Sequence, residues 1–126
     1  MALHTVEMDC RPDPLAPRQA RAFVASFMKA WGLADLVDRA ELLTSEVVTN
    51  AIVYTHSPVR LVVEVHSSSV VVEVKDTAQT QVGAEGEEVA EADHGRGMVL
   101  VDALSDRWGW WKEDGGKVVW FALLAA

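Results

Sequence analysis

The order of periodic segments predicts an α/β (α+β) two-layer sandwich, a mixed sheet covered by helices on one face. Three observations carry this. Two long segments, 17–31 and 35–55, repeat apolar residues at helical spacing. Four shorter ones, 59–66, 70–76, 107–113 and 117–124, are dense in valine and tryptophan, as strands are. The strand-like segments also come in pairs, joined by Ser67-Ser68-Ser69 and by Asp114-Gly115-Gly116, which reads as two hairpins.

Element by element, residues 3–8 (LHTVEM) alternate loosely and suit an edge strand. Three prolines within CRPDPLAP then break the chain. A helix is expected from Pro17, because proline suits a first turn. Ala20, Phe23, Val24, Phe27 and Trp31 form its apolar face, and Gly32 stops it. In the second helix, over roughly 35–55, Leu36, Ala40, Leu43, Val47, Ala51 and Tyr54 form one stripe. Val37 and Val48 widen it, and Thr44 falls off it. Ser57-Pro58 ends the helix. Residues 77–96 show no period, carry Gly83, Gly86 and Gly95, and read as a long loop. A short helix over 97–106 leads into the second hairpin, so the order is β-α-α-β-β-loop-α-β-β.

Half of the 126 residues are apolar, enough for a core without disulfides, and the whole chain reads as one domain. The net charge of −8 opposes direct binding to nucleic acid or to an anionic membrane, since phosphates require clustered positive charge. Cys10 stands alone, which fits a reducing compartment. No apolar run approaches the roughly 18 residues of a membrane helix. The expectation is a soluble, cytoplasmic protein. His4, His56, His66, His94 and Cys10 show no metal-ligand spacing.

Three constellations offer chemistry. Glu46 and Asn50 are spaced i, i+4 and project from one side of the second helix, at the edge of its apolar stripe, where they can face a cleft. Alone, the pair also reads as a solvated flank. Asp76 ends a strongly apolar strand, where a carboxylate either accepts a hydrogen bond from a ligand amino group or starts a turn. His94-Gly95-Arg96-Gly97-Met98 closes the long loop and opens a helix. Glycines admit close backbone approach there, and free N–H groups favour phosphate; a plain helix-entry turn has the same look. Gly115-Gly116-Lys117 reads as a hairpin turn and nothing more. Trp108 and Trp110 share one strand face, with Trp111 opposed to them.

Taken in order, these constellations resemble the GHKL ATPase superfamily, which includes DNA gyrase, histidine kinases and mismatch-repair ATPases. Within it the chain looks like the anti-sigma-factor serine kinases and their actinobacterial relatives. The matching stretches are ELLTSEVVTNAIVYTHSPVRLVVEV, VVVEVKDT, and HGRGMVLVDALSDRWG followed by GGKVVWF, covering about residues 15–124. The resemblance implies the Bergerat ATP-binding fold, with ATP and Mg²⁺ as cofactors. It implies that Asn50 coordinates Mg²⁺, that Glu46 is the general base for an incoming hydroxyl, and that Asp76 holds the adenine amino group. Gly95, Arg96, Gly97 and Met98 would lie along the phosphates, and a lid would span 77–94, within the loop at about 77–96.

These roles are chemically coherent. Phosphoryl transfer needs positioning and charge neutralisation. An amide carbonyl suits a hard cation, and a carboxylate within reach of a hydroxyl takes its proton. The resemblance further implies a homodimer, a sigma factor and a STAS-domain anti-anti-sigma protein as partners, and serine kinase activity. A second reading is a catalytically weak module of the same fold acting by partner contact alone. Three departures favour it: Val118 stands where relatives often carry a threonine, no glycine follows Asp76 until Gly83, and AEGEEVAEAD (84–93) places five acids in the lid.

Overall fold

The computed structural model describes residues 2–76, 98–113 and 115–125. Strand β1 (His4–Cys10) leads into helix α1 (Ala16–Ala30). A 3₁₀ turn (Ala34–Leu36) leads into helix α2 (Val37–Thr55), which is followed by β2 (Val59–His66) and β3 (Ser69–Asp76). Residues 98–104 form a short helix, α3, and the chain closes with β4 (Arg107–Glu113) and β5 (Gly116–Leu124). The five strands lie in the order β1-β2-β3-β5-β4.

All four pairings are antiparallel, which corrects the mixed sheet expected from the sequence. The reason is topological. One crossover helix would return the chain for a parallel partner. Two consecutive helices reverse it once more, so β2 enters antiparallel to β1. The strands β3 and β4 do run in the same sense, but β5 inserts between them as neighbour to both.

Strand alternation divides the sheet. Leu61, Val63 and Val65 of β2, Val70, Val72 and Val74 of β3, and Val119, Phe121 and Leu123 of β5 face the helices and form the core. Ala20, Val24 and Met28 of α1 and Ala40, Leu43, Val47 and Val48 of α2 meet them. Thr44, expected to fall off the stripe, is fully buried. It lies between the sheet-facing residues of α2 and the side turned to α1, where Ser45 accepts a hydrogen bond from Arg21 at 2.9 Å. Trp31 does not extend the core; it caps α1 and stacks on His4 with ring centroids 3.6 Å apart. Gly32 follows at φ +78°, the left-handed geometry that ends helices.

The end of α2 is closed by local bonds. Thr55 Oγ1 donates to Ala51 O at 2.8 Å and accepts from Ser57 N at 3.2 Å, while His56 adopts the left-handed conformation and donates its N–H to Ile52 O. The chain thus passes within three residues from Thr55 to Val59, whose partner across the sheet is Asp76.

Candidate functional site

That short connection brings two of the sequence-predicted constellations together. Asn50 lies in the last turns of α2, and Asp76 ends β3 beside Val59, at the same end of the sandwich. In the alternation of β3, Asp76 follows Val72 and Val74 and so sits on the face that α2 covers.

Glu46 and Asn50 occupy the helix edge that the i, i+4 spacing predicts, and both are half-buried rather than projecting into solvent. The Nδ2 of Asn50 is buried and has no hydrogen-bond partner among the described residues. A buried amide N–H left in that state costs about 1–3 kcal/mol. Asn also lowers helix stability against Ala by several tenths of a kcal/mol. A ligand acceptor within reach would satisfy this N–H.

Asp76 is half-buried with its Oδ1 shielded from solvent. Its environment is shaped by Gly116, a residue the sequence reading left as part of a turn. A Cβ at Gly116 would collide with the Asp76 carbonyl oxygen and stand 3.0 Å from its Oδ1. Gly115 supplies the left-handed turn at φ +83°. Gly116 does not, so its lack of a side chain serves close approach. A second glycine beyond the one the turn consumes was the available signal.

The register of β5 also relocates an expectation. Val118 pairs with Lys75 and Trp111, on the face away from Asp76. The position on the Asp76 side is Lys117, nearly buried, with its Nζ 4.5 Å from the centre of the Trp110 ring. Trp108 and Trp110 do share the helix-covered face, and Trp111 opposes them, as the alternation predicts. Trp108 reaches the core and donates its Nε1–H to Asp102 at 2.8 Å. On the sheet face opposite the described helices, burial pushes the Glu73 carboxyl above its ordinary range, with Lys75 opposing and Glu64 and Glu113 reinforcing the shift.

Met98 is buried in the core, so its side chain packs and only its backbone is left to meet a ligand. Gly95, Arg96, Gly97 and the lid expected at 77–94 lie outside the described residues. The helix that follows them is held by a residue the sequence reading passed over. Arg39 lies on the Glu46–Asn50 side of α2 and donates from Nη1 to Leu104 O at 3.1 Å, with Asp106 Oδ2 at 3.8 Å.

With this geometry in view, comparison with known proteins is direct. A family model, the histidine kinase-like ATPase domain, matches residues 10–123. The chain belongs to this family. No curated protein matches it. The two-layer α+β architecture is that of a GHKL-type ATPase domain, as the ordered motifs imply.

An ATPase domain of this type implies ATP, commonly with Mg²⁺, and the residues present fit that group. The buried Asn50 amide asks for an acceptor such as a phosphate oxygen, and its carbonyl is a hard-cation ligand. The Asp76 carboxylate offers an acceptor for an exocyclic amino group, beside backbone bare of a Cβ. Among the described residues no three His, Cys, Asp or Glu side chains gather as a metal site. Mg²⁺ takes few protein ligands and keeps several waters and substrate phosphates, so a site with few protein oxygens is compatible with it.

Proposed function

We propose that the chain binds ATP with Mg²⁺ and transfers phosphate to a serine hydroxyl of a STAS-domain anti-anti-sigma protein, while sequestering a sigma factor. The observation that carries this is the Asn50 Nδ2, buried without a partner among the described residues at the end of the sandwich where Asp76 lies. Asn50 would hold Mg²⁺, which neutralises phosphate charge. Asp76 would accept from the adenine amino group, and the backbone of Gly95, Arg96, Gly97 and Met98 would line the phosphates. Glu46, half-buried one turn before Asn50, would accept the serine proton as the oxygen–phosphorus bond forms and the bond to ADP breaks. The same reading makes the protein a cytoplasmic homodimer. No helix among the described residues is long and apolar enough to cross a membrane.

Phosphate incorporation into a STAS-domain protein tests the reading. Wild type should label it, and Glu46→Ala should keep nucleotide affinity while losing roughly 10²–10⁴-fold in rate. Unchanged transfer in Glu46→Ala removes Glu46 from the chemistry.

A second reading, regulation by partner contact without transfer, draws on β4. This edge strand exposes Trp110 and Trp111, and tryptophan is enriched where interfaces concentrate their energy. Absence of nucleotide binding, with a sigma factor still bound, would favour it.

A further inference from the structure

Strand β5 is apolar on both sides. Val119, Phe121 and Leu123 face the helices, and Val118, Trp120, Ala122 and Leu124 face the other way. A continuous apolar run of this kind marks a strand buried on two faces, whereas an antiparallel sheet wetted on one side alternates with polar residues. Val62 of β2 and Val71 of β3 extend the second apolar surface to the neighbouring strands. Val62, Val118 and Ala122 are buried without belonging to the core, while Trp111 and Leu124 beside them are 39% and 48% exposed. The described helices all pack on the opposite face. Gly109 of β4 keeps the surface flat: a Cβ there would stand 2.9 Å from Trp120 Nε1, so the indole lies across bare backbone.

Charges frame this surface in a self-complementary way. The register sets Glu64, Val71, Ala122 and Arg107 in one row across β2, β3, β5 and β4. Arg107 is exposed and makes no ion pair among the described residues, and Glu64 Oε1 meets His66 Nε2 at 3.3 Å. Glu64 and Arg107 stand three strands apart, roughly 14 Å at about 4.8 Å per strand. A two-fold axis along the strands, between β3 and β5, lays each row over the reversed row of a second copy. Glu64 then opposes Arg107 of the partner subunit, with Val71 over Ala122 in the middle. In the row that holds Arg60, Lys75, Val118 and Trp111, the Arg60 guanidinium opposes the partner's indole. Packed sheets cross at about 30°, which displaces groups about 7 Å from the axis by only about 4 Å, within the reach of an arginine. An axis across the strands would instead set Glu7 and Glu64 against their own copies, and like charges oppose it.

We propose that the sheet face opposite the described helices is a homodimer interface, two copies packing face to face with Glu64 of each against Arg107 of the other. The inference rests on the homodimer of the reading above and is independent of its nucleotide.

Sedimentation equilibrium over a concentration series, with a thermal melt of each protein, tests it. Wild type should sediment as a dimer. Glu64→Arg and Arg107→Glu each set like charges together in two symmetry-related pairs and should raise the dimer dissociation constant at least about tenfold. An equimolar mixture of the two variants restores opposite charges in both pairs and should dimerise within about threefold of wild type. Such rescue cannot arise within one chain, so it separates the contact from any effect on folding. Variants that dimerise as tightly as wild type, or a mixture no tighter than either variant alone, overturn this face and leave the homodimer standing. Wild type that stays monomeric throughout the series overturns the homodimer itself, and the face with it.

Discussion

Arg39 and Asn50 lie on one side of α2, about 16 Å apart along the helix axis, and their surroundings differ. Around Arg39 polar groups find partners: the guanidinium meets Leu104 O and Asp106, and Asp106 meets Ala122 and Leu124. Around Asn50 an amide N–H is buried without a partner among the described residues. At one end the polar groups are paired, and at the other the described residues leave an amide N–H without an acceptor. Buried polar groups in folded proteins are overwhelmingly hydrogen-bonded, so the exception is informative about function. Thr44 Oγ1, also buried without a partner, supplies the control: it sits in the middle of the core rather than at the helix edge.

The largest effect should come from Gly116→Ala. Its methyl would meet the backbone carbonyl oxygen of Asp76, which cannot yield as a flexible side-chain tip does. Overpacking of this kind costs about 1–3 kcal/mol of stability. Displacing Asp76 should weaken adenosine binding by roughly 10–100-fold, the worth of a hydrogen bond to a charged group. Denaturant melts and a nucleoside titration check both. Affinity equal to wild type would detach Asp76 from the ligand.

Thr44→Val sharpens the contrast between the two orphaned groups. Removing a hydroxyl that has no partner should raise stability by about 1 kcal/mol, because only the desolvation penalty is lost. MgATP affinity should not change. A drop in affinity would mean that Thr44 belongs to the site.

The smallest effect lies on the sheet face opposite the described helices. The Glu73 carboxyl is raised above its ordinary value of 4.5 by burial. The folded state therefore holds its proton to higher pH than the unfolded chain does, and stability falls as pH rises from 4.5 through the raised value. Glu73→Gln should flatten that segment of the stability–pH curve. A wild-type curve that climbs there, with no difference in the variant, would contradict the assignment.

Much of the fold was legible because local signals agreed with it. The helical period of α2 and the valine alternation of β2 and β3 placed these elements to within a residue or two. Strand direction was misread although the two helices between β1 and β2 were legible and already imply an antiparallel return. Thr44 was misplaced although the helical step sets it between Ala51 and Val37, inside the widened apolar stripe. Spacing and strand position singled out Asn50 and Asp76, but a site role for either came only from the family resemblance. Gly116 and Arg39 were not singled out: the first acts through a neighbour 40 residues away in sequence, and the second through contacts more than 60 residues away.

Thermal melts of wild type and Asn50→Ala, each with and without MgATP, test the central claim most directly. Without ligand the variant should be as stable as wild type or more so, by up to about 1 kcal/mol, since an unsatisfied amide is replaced by a better helix former. With MgATP in excess, wild type should gain stability in proportion to its affinity and the variant should gain little. A variant that is markedly less stable without ligand, or that gains as much from MgATP as wild type, would make Asn50 a structural residue and contradict the account.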